Sequence, residues 1–358
     1  MKNKILYIVM SDLDSNNINS GPSVRSYAML KEFKNLDADV DVVYGSNPKE
    51  RYEKVKSLID KKKSYKYCYI ESRVGVTRFY DTLLLILLKN SIRPLKIGFY
   101  YRDMYWKYGI NLSNGRLKQS FVPLINKVYL KLIDNVCDVI YVQSEAFKKA
   151  LQSLVKKADI LLLPPGCEEI VCNDLIQEDA FYVGEIDPVF SGVELLIQAF
   201  EIINIKKEIN LNLVCRKHEY EENLFLKEAN QKFSWLKISH HNKATIGEVY
   251  QRSKVAIIPR SGNEYTKLCL PIKLFEYISQ EKPIVAVNHG ETADFINDNK
   301  LGLISNDTPE GLASCILDMF NNDKLYEEFK INIKQYKKNN LWMDRVKYIN
   351  KTLGKILI

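Results

Sequence analysis

Short, nearly continuous apolar runs recur along the chain, and segments with helical periodicity separate them. The first run, residues 4–10, reads Lys-Ile-Leu-Tyr-Ile-Val-Met and is typical of a strand buried in a parallel sheet. A helix over 23–36 and a strand over Val40–Tyr44 are predicted next, so the chain opens as a strand–helix–strand unit. Further strands are predicted over Tyr67–Glu71, Lys96–Tyr101, Val139–Gln143 and Ile160–Leu163. Six strands alternating with helices predict a doubly wound sheet.

Pro164-Pro165-Gly166 interrupts this alternation, and residues 165–179, which lack clear periodicity, are interpreted as a hinge. The second series of predicted strands covers Ala180–Gly184, Leu211–Cys215, Leu236–Ser239, Val255–Pro259, Pro283–Asn288 and Gly302–Ile304. The second series of predicted helices covers Gly192–Ile203, Glu219–Lys232, Ile246–Arg252, 271–280, 291–297, 309–320, 323–336 and 341–357. The pattern predicts an α/β protein with two Rossmann-like domains, whose sheets present their carboxyl ends to a shared cleft.

The helix predicted over 271–280 combines a proline start with two charged side chains. Pro271 suits the first helical position because its missing N–H would have no partner there. The free amides of such a first turn and the helix dipole favour an anion. Lys273 and Glu276 lie one turn apart on the same face. This helix can hold a phosphate at its tip and a sugar hydroxyl slightly deeper, and a nucleotide-sugar carries both groups.

Composition excludes several classes of protein. The chain has 358 residues, of which 46% are hydrophobic and 27% charged, so it is globular and long enough for two domains. Its seven cysteines form no Cys-x-x-Cys pair, which is typical of reduced thiols. The first residues resemble no signal peptide, and the longest aliphatic run, Leu83–Leu88, is too short to span a bilayer. A soluble or peripheral protein is expected.

Net charge is +8 and unevenly distributed. Residues 1–170 hold 28 Lys and Arg against 18 Asp and Glu, and the remainder holds 24 against 26. A basic first half suits an anionic membrane surface or an anionic lipid-linked substrate, although solvated lysine faces would give the same count. No nucleic-acid partner is predicted.

Motifs for other chemistries are missing from the sequence. No Gly-x-Ser-x-Gly, Walker or Gly-x-Gly-x-x-Gly element is present, which argues against hydrolase, ATPase and dinucleotide-binding functions. The four histidines lack paired metal-ligand spacing. Asp12 and Asp14 flank Leu13 in a predicted loop, where a turn is the favoured interpretation over a manganese site. No metal and no cofactor are predicted.

The second half resembles glycosyltransferases of family 4 (group 1), which have the GT-B fold. The resemblance rests on Tyr182-Val183-Gly184 with Gly192–Leu196, on Val255–Pro259, on Leu270–Tyr277 with Lys282–Ala286, on Gly302–Ile304 and on Leu341-Trp342. The first half matches more loosely, through Gly21 with Arg25 and through Tyr100–Trp106. The resemblance implies an acceptor-binding domain at 1–170, a nucleotide-sugar-binding domain at 171–340, and a helix at 341–358 that returns to the first domain.

The family's chemistry sets the roles that the resemblance implies. Members transfer a sugar from a nucleotide diphosphate to an acceptor hydroxyl, usually with retention and without a metal ion. The protein stabilises charge on the leaving diphosphate and positions both substrates. Donor binding is assigned to Glu276, which would accept hydrogen bonds from the ribose, and to Pro271, Ile272, Leu274, Gly184 and Gly192. UDP is the favoured nucleotide.

Three positions depart from the family pattern. Where many members carry an arginine and a lysine that clamp the diphosphate, this chain has Glu185 and Ser191. Leu268 replaces a glutamate that commonly contacts the donor sugar, and Glu264 is a candidate substitute. The positive charge must therefore come from other side chains. The candidates are Arg260, Lys273, Arg216 and Lys217.

Acceptor-side residues are assigned less specifically. Asp103, after the strand over Lys96–Tyr101, is expected to orient the attacking hydroxyl, although an aspartate there could equally cap the next helix. Acceptor contacts are expected from Gly21, Arg25, Arg102 and His289. Thr77–Lys89 is an apolar helix with basic ends; it is interpreted as a core helix, with membrane contact as the alternative.

The function expected from these features is a transferase that builds a bacterial cell-envelope glycan from a nucleotide-sugar. It would work in the cytoplasm, at the inner face of the membrane. A non-catalytic GT-B-like partner is a second hypothesis, motivated by Glu185, Ser191 and Leu268. A nucleotide-sugar epimerase is a third.

Overall fold

The structure, a computed structural model, describes residues 4–13, 21–36, 38–61, 63–91, 96–110, 121–172, 178–187, 191–242, 245–260 and 262–354. The chain divides into two compact units: Met1–Gly166 with Trp342–Ile358, and Cys167–Leu341. Each unit contains a six-stranded parallel sheet flanked by helices. The predicted fold class, two Rossmann-like α/β units, is therefore confirmed.

The first unit is built on the strands β1 (Lys4–Val9), β2 (Asp39–Tyr44), β3 (Tyr67–Glu71), β4 (Lys96–Tyr100), β5 (Val139–Val142) and β6 (Asp159–Leu162). They lie side by side in the order β2-β1-β3-β4-β5-β6. Residues Ile5 to Val9 and Tyr67 to Ile70 are completely buried, which explains the continuous apolar runs of β1 and β3.

Five helices connect these strands among the residues that the structure describes: α1 (Gly21–Asn35), α2 (Pro48–Asp60), α3 (Phe79–Ser91), α4 (Val122–Val136) and α5 (Glu145–Gln152). Within α3, Leu84, Leu85 and Leu88 are buried in the interior. A short 3-10 helix, Tyr105–Tyr108, follows β4.

The C-terminal helix packs onto the first unit. Its Leu353 lies so close to Gly98 of β4 that a Cβ on this glycine would be 2.6 Å from the leucine side chain. Thr352 and Tyr141 share a hydrogen bond of 2.5 Å between their hydroxyls. At the other end, the Trp342 backbone contacts Gly166. These contacts explain why residues separated by the whole second unit belong to the first.

The second unit is built on β7 (Asp179–Val183), β8 (Leu211–Val214), β9 (Leu236–Ser239), β10 (Ser253–Ile258), β11 (Ile284–Val287) and β12 (Gly302–Ser305). They lie in the order β12-β11-β10-β7-β8-β9. The chain winds outward from β7 in one direction, then crosses to β10 and winds outward in the other. The point between β7 and β10 is where ligands bind in doubly wound sheets.

The helices of this part are α6 (Val193–Lys206), α7 (Lys217–Glu222), α8 (Leu224–Lys232), α9 (Gly247–Arg252), α10 (Ile272–Ser279), α11 (Gly290–Asp298), α12 (Pro309–Asn321) and α13 (Asp323–Lys338); the C-terminal helix of the first unit is α14 (Trp342–Leu353). The single helix predicted over Glu219–Lys232 is wrong. Asn223 has an extended backbone and its side chain caps α8 by accepting the Leu226 amide, so the helix is broken in two.

No helix among the described residues is long and apolar enough to cross a membrane.

Candidate active site

The strand ends at the switch point of the second sheet come close to the start of α6. Gly184 follows β7, and Arg260 lies two residues beyond β10. Gly192 precedes α6 with a φ of 68°, and a Cβ there would lie 1.9 Å from the Pro259 carbonyl oxygen. Only glycine combines this backbone conformation with so close an approach. The sheet edge is therefore tightly fixed where a ligand would bind.

Lys273, in the first turn of α10, extends over this edge. Its Nζ donates a 3.4 Å hydrogen bond to the Tyr182 hydroxyl and lies 4.6 Å from the centre of that ring. A Cβ on Gly184 would lie 2.1 Å from the same Nζ. Lys273 thus occupies the space that the missing side chain of Gly184 leaves free.

Arg260 and Lys273 are two cations close enough for the charge of Arg260 to affect the pKa of Lys273, which Glu185, Glu276 and Glu219 oppose. Loss of solvation, reinforced by the charge of Arg260, lowers the pKa of Lys273 to about 8. The Nε of Arg260 is buried and has no hydrogen-bond partner within the described residues. A buried donor without a partner is costly, and so is a poorly solvated ammonium. An anion bound here would relieve both costs.

Glu276 lies one turn after Lys273, and α10 is oriented by the residue that follows it. The Tyr277 hydroxyl accepts the Val183 amide at 3.0 Å and donates to the Val183 carbonyl at 3.3 Å, which ties α10 to the end of β7. Glu276 is half-buried, and its charge raises the pKa of Lys273 in opposition to burial. The carboxylate is thus electrostatically coupled to Lys273.

The other residues assigned to donor binding by sequence occupy different places on α10. Pro271 is the N-cap, without a side-chain hydrogen bond to the first turn, and Ile272 begins the helix. Leu274 is fully buried in the hydrophobic core, and its amide bonds to the Pro271 carbonyl at 3.1 Å. Leu274 therefore holds the helix in place, and its contact with a donor stays a prediction.

Arg216 pairs with the glutamate that replaces the family's arginine. Its Nη2 lies 3.1 Å from Glu185 and its Nη1 lies 2.9 Å from Glu219. Lys217 is 73% exposed, and its Nζ lies 3.7 Å from Glu221. Pairs this exposed contribute little and are easily exchanged for another anion. Arg260 and Lys273 are the more deeply placed cations.

His289, the N-cap of α11, lies close enough to Arg260 to interact with its charge. Its Nε2 is 2.8 Å from the Thr266 hydroxyl. Burial, together with the charges of Lys267 and Arg260, lowers its pKa, so the ring is neutral at neutral pH. Glu264, the candidate for the missing sugar-binding carboxylate, is 74% exposed and lies 2.6 Å from Lys267.

In the first unit, Asp103 follows β4 and lines a cavity with Trp106. Its Oδ2 accepts the Gly75 amide at 3.1 Å. Burial raises the pKa of Asp103 to about 6, against the hydrogen bonds from the Gly75 and Tyr105 amides. A carboxylate with this pKa can accept a proton near neutral pH. The N-cap of the short helix is Met104, so the alternative role of Asp103 as its N-cap is wrong, although the carboxylate accepts the amide of Tyr105.

Sequence reasoning missed Asp81, a second carboxylate on the same cavity. It is 1% exposed, and its Oδ1 pairs with Arg51 of α2. Its Oδ2 is buried and has no hydrogen-bond partner among the residues described. The sequence did contain an indication, because Asp81 is the only charged residue in the mostly apolar stretch Phe79–Leu88. A buried charge is costly unless it is paired, so a partner for this aspartate could have been expected.

Arg25 and Arg102 converge on Glu71, another residue that sequence reasoning missed. Glu71 is fully buried; its Oε1 lies 3.3 Å from the Arg25 Nε and its Oε2 lies 2.8 Å from the Arg102 Nη2. Arg25 also stacks 3.6 Å above the ring of Tyr100. Because only 1% of Arg25 is exposed, it has a structural role here. Acceptor contact by Arg25 or Arg102 stays a prediction.

Gly21 begins α1, and its acceptor contact is likewise untested. The Oδ1 of Asp12 accepts the Ser46 amide at 2.8 Å, as a loop aspartate commonly does. Asp14 lies outside the described residues. Among those described, no group of three or more His, Cys, Asp and Glu side chains is arranged to hold a metal ion. Metal independence stays a prediction.

Residues 177–322, which span most of the second unit, match the family model "Glycosyl transferases group 1". Most of the second unit is thus similar to group 1 glycosyltransferases. The resemblance predicted from Tyr182–Gly184 and Leu270–Tyr277 is therefore confirmed for the unit that contains Lys273 and Arg260. No curated protein matches the chain in sequence.

Solved structures extend the likeness to the whole chain. A glycosyltransferase from Rickettsia africae ESF-5 is similar with a TM-score of 0.71 and 14% identity, over 99% of this chain and 98% of the other. Sucrose-phosphate synthase (tll1590) from Thermosynechococcus elongatus has a TM-score of 0.69 and 13% identity, over 98% of both chains. Anabaena Alr3699/HepE in complex with UDP has a TM-score of 0.66 and 12% identity, over 99% and 100%. At these identities, the likeness establishes the GT-B fold.

Proposed function

We propose that the chain is a retaining glycosyltransferase of family 4 that moves a sugar from a UDP-linked donor to a glycan or lipid-linked acceptor. The observation that carries the proposal is the cation pair Arg260 and Lys273 at the switch point of a unit similar to group 1 glycosyltransferases. The bound UDP of the similar HepE structure supports a nucleotide donor of this kind.

The two cations supply what departure of a diphosphate requires. As the glycosidic bond to the diphosphate breaks, negative charge grows on the phosphate oxygens. Arg260 has a buried Nε in need of an acceptor, and Lys273 gains stability from any nearby anion. Their charges can thus stabilise the leaving group without a metal ion, and no protein nucleophile is needed when the diphosphate takes the acceptor proton.

Glu276 would accept hydrogen bonds from the ribose hydroxyls, because an ionised carboxylate offers only acceptor sites. The open first turn at Pro271 and Ile272 would face the phosphates. On the acceptor side, Asp103 would orient the attacking hydroxyl in its ionised form. Arg216 can join the phosphate clamp by exchanging Glu185 for the ligand.

The proposed setting is bacterial cell-envelope polysaccharide synthesis, in the cytoplasm at the inner face of the membrane. The excess of positive charge in residues 1–170 supports an anionic, lipid-linked acceptor. Cell-envelope synthesis is also what bacterial members of the family most often carry out.

Donor binding is tested by thermal unfolding of the purified chain with UDP-, GDP- and dTDP-sugars. UDP at about a hundred times its dissociation constant should stabilise the protein by about 2.7 kcal/mol. Lys273→Met and Glu276→Ala should each weaken UDP binding by about tenfold or more, since each removes a hydrogen bond to a charged group. Absence of any thermal response to all three nucleotides would refute the proposal.

Two exposed residues provide matched controls. Lys324→Met and Glu327→Ala remove the same charges on α13, whose first residue Asp323 pairs with Lys254 at the beginning of β10, and they should leave UDP binding unchanged. Glu185, paired with Arg216, favours a second candidate, a non-catalytic partner that keeps the fold. That protein would bind UDP at most and release none from a UDP-sugar. An epimerase would change the sugar with no acceptor present.

A further inference from the structure

Helix α4 has a group of apolar side chains that are exposed and do not pack into the hydrophobic core. Leu124, Ile125 and Val128 are 60%, 45% and 63% exposed, and Phe121, immediately before the helix, is 62% exposed. These four positions follow a spacing of three and four residues, so they form one continuous stripe. Contiguous exposed apolar surface of this kind marks an interaction site.

Helix α3 extends this face. Thr77 donates to Asn126 at 3.4 Å, and the Lys89 Nζ donates to the Asn135 carbonyl at 3.1 Å, so the two helices run side by side in the same direction. Phe79 at the start of α3 is 70% exposed. The surface formed by Phe79 and by Phe121, Leu124, Ile125 and Val128 is named the apolar face below.

The exposed charges of α3 and α4 and of the residue before α3 all have one sign. On α4, Lys127 precedes Val128 and Lys131 follows it by three residues; both are exposed, as is Arg78 immediately before α3. The only acids in the two helices, Asp81 and Asp134, are buried. Asp81 pairs with Arg51, and Asp134 accepts the amides of residues 156 to 158. Within the described residues of α3 and α4, no carboxylate is exposed.

We propose that the apolar face docks onto an anionic lipid bilayer. Exposed aromatic and aliphatic side chains with interspersed cations are what an interfacial helix needs, because the apolar groups enter the headgroup region and the cations meet the lipid phosphates. A second protein could also cover apolar side chains, but two helices that expose cations and, within their described residues, no carboxylate are complementary to an anion-rich partner.

Docking through this face determines how an acceptor arrives. The opposite side of α4 contributes Asn126 and Tyr129 to the cavity that Asp103 and Asp81 line. The helices that contact the bilayer are therefore the walls of the proposed acceptor cavity. Resting on the proposed function, the inference specifies an acceptor whose reacting sugar is carried by a membrane lipid and reaches Asp103 from the bilayer surface.

Co-sedimentation with vesicles tests the docking. The full chain should bind vesicles of phosphatidylcholine mixed with phosphatidylglycerol, bind pure phosphatidylcholine weakly, and release from the former at high salt. The double variant Leu124→Ser/Val128→Ser should bind at least about tenfold more weakly. Lys127→Gln/Lys131→Gln should lose about fivefold per lysine and most of the salt dependence.

A matched control comes from the second unit, where Ile205 and Ile331 are 84% and 62% exposed. Ile205→Ser/Ile331→Ser should bind vesicles like the wild type. Equal binding by the Leu124/Val128 variant and the wild type would overturn the docking, and so would equal losses in both serine variants. Wild-type dimers that dissociate in the Leu124/Val128 variant, without vesicle binding, would assign the face to self-association and also overturn it.

A further variant tests the docking by the appearance of a signal, so a loss of folding cannot be mistaken for a positive result. Leu124→Trp places a fluorophore on the apolar face, and brominated lipids should quench its added emission when anionic vesicles are present. No quenching would count against the docking. UDP-induced stabilisation, measured on the same samples, should be unchanged in every variant. Loss of the UDP response with vesicle binding retained would refute the donor function and leave the docking standing.

Discussion

UDP binding should weaken as the pH rises through the pKa of Lys273. Burial and the charge of Arg260 lower this pKa to about 8 in the free protein, so the ammonium is about 90% charged at pH 7 and about 10% charged at pH 9. A bound diphosphate would raise the pKa again. Above pH 8, each UDP therefore brings a proton with it, whereas below pH 7 the lysine is already charged.

The structure sets the size of the effect. If the complex keeps Lys273 charged up to pH 9, the dissociation constant rises about tenfold between pH 7 and pH 9, which is about 1.4 kcal/mol. The second ionisation of a terminal phosphate lies near pH 6 and contributes little in this range. The guanidinium of Arg260 provides the remaining attraction.

Isothermal titration of UDP at several pH values, in buffers of different ionisation enthalpy, measures both the affinity and the protons taken up. Lys273→Arg supplies the control, since a guanidinium does not titrate below pH 12 and the tenfold loss should disappear. A wild-type affinity that stays constant from pH 7 to pH 9, without proton uptake, would show that Lys273 does not contact the diphosphate.

Three further results are expected. The rate of sugar transfer should fall about tenfold per pH unit below pH 6, where Asp103 becomes protonated, and Asp103→Asn should abolish this dependence; a flat profile in the wild type would contradict it. Lys273→Met should raise the melting temperature at pH 7 by a few degrees, because a lysine with a lowered pKa costs stability below that pKa, on the order of 1–3 kcal/mol; unchanged or reduced thermal stability would argue against burial of the charge. Gly192→Ala should destabilise the fold by more than about 2 kcal/mol in denaturant unfolding, through its positive φ and the contact with Pro259, whereas Gly247→Ala, with nothing within 4 Å, should be neutral or stabilising.

The sheets could be predicted from sequence because burial on both faces leaves an unbroken apolar run. Strands β1, β3 and β11 illustrate this, since nearly every residue in them is buried. The start of α10 could also be predicted, because a proline directly before an apolar helical pattern is typical of a helix N-terminus. Helix α8 was missed as a separate element because the capping bond of Asn223 competes locally with helix continuation.

Pairings between distant charges were invisible in the sequence. Arg25 resembled a ligand-facing residue, yet Glu71, 46 positions later, holds it inside the first unit. Glu185 was recognised as a departure, but its partner Arg216 emerges only when β7 and β8 lie side by side. The exposed side of α4 was also unpredictable, because periodicity shows that a helix has an apolar stripe and does not show whether anything covers it.

The Cys167 amide donates a hydrogen bond to the Asn340 carbonyl, and these residues lie where the chain enters and leaves the second unit. In the first unit, Gly166 and Trp342 are the corresponding boundary residues, and they are also in contact. During translation, residues 1–166 are therefore synthesised long before the C-terminal helix that completes the first unit. The strands of its sheet are synthesised early. The surface around Gly98 stays exposed until the helix formed by residues 342–353 has been synthesised and can pack on it. The second unit is continuous in sequence and can therefore fold before residues 342–353 are available. It would then complete its fold before the first unit, although it is synthesised later. Nascent chains arrested near residue 341 should therefore need protection of the first sheet more than of the second.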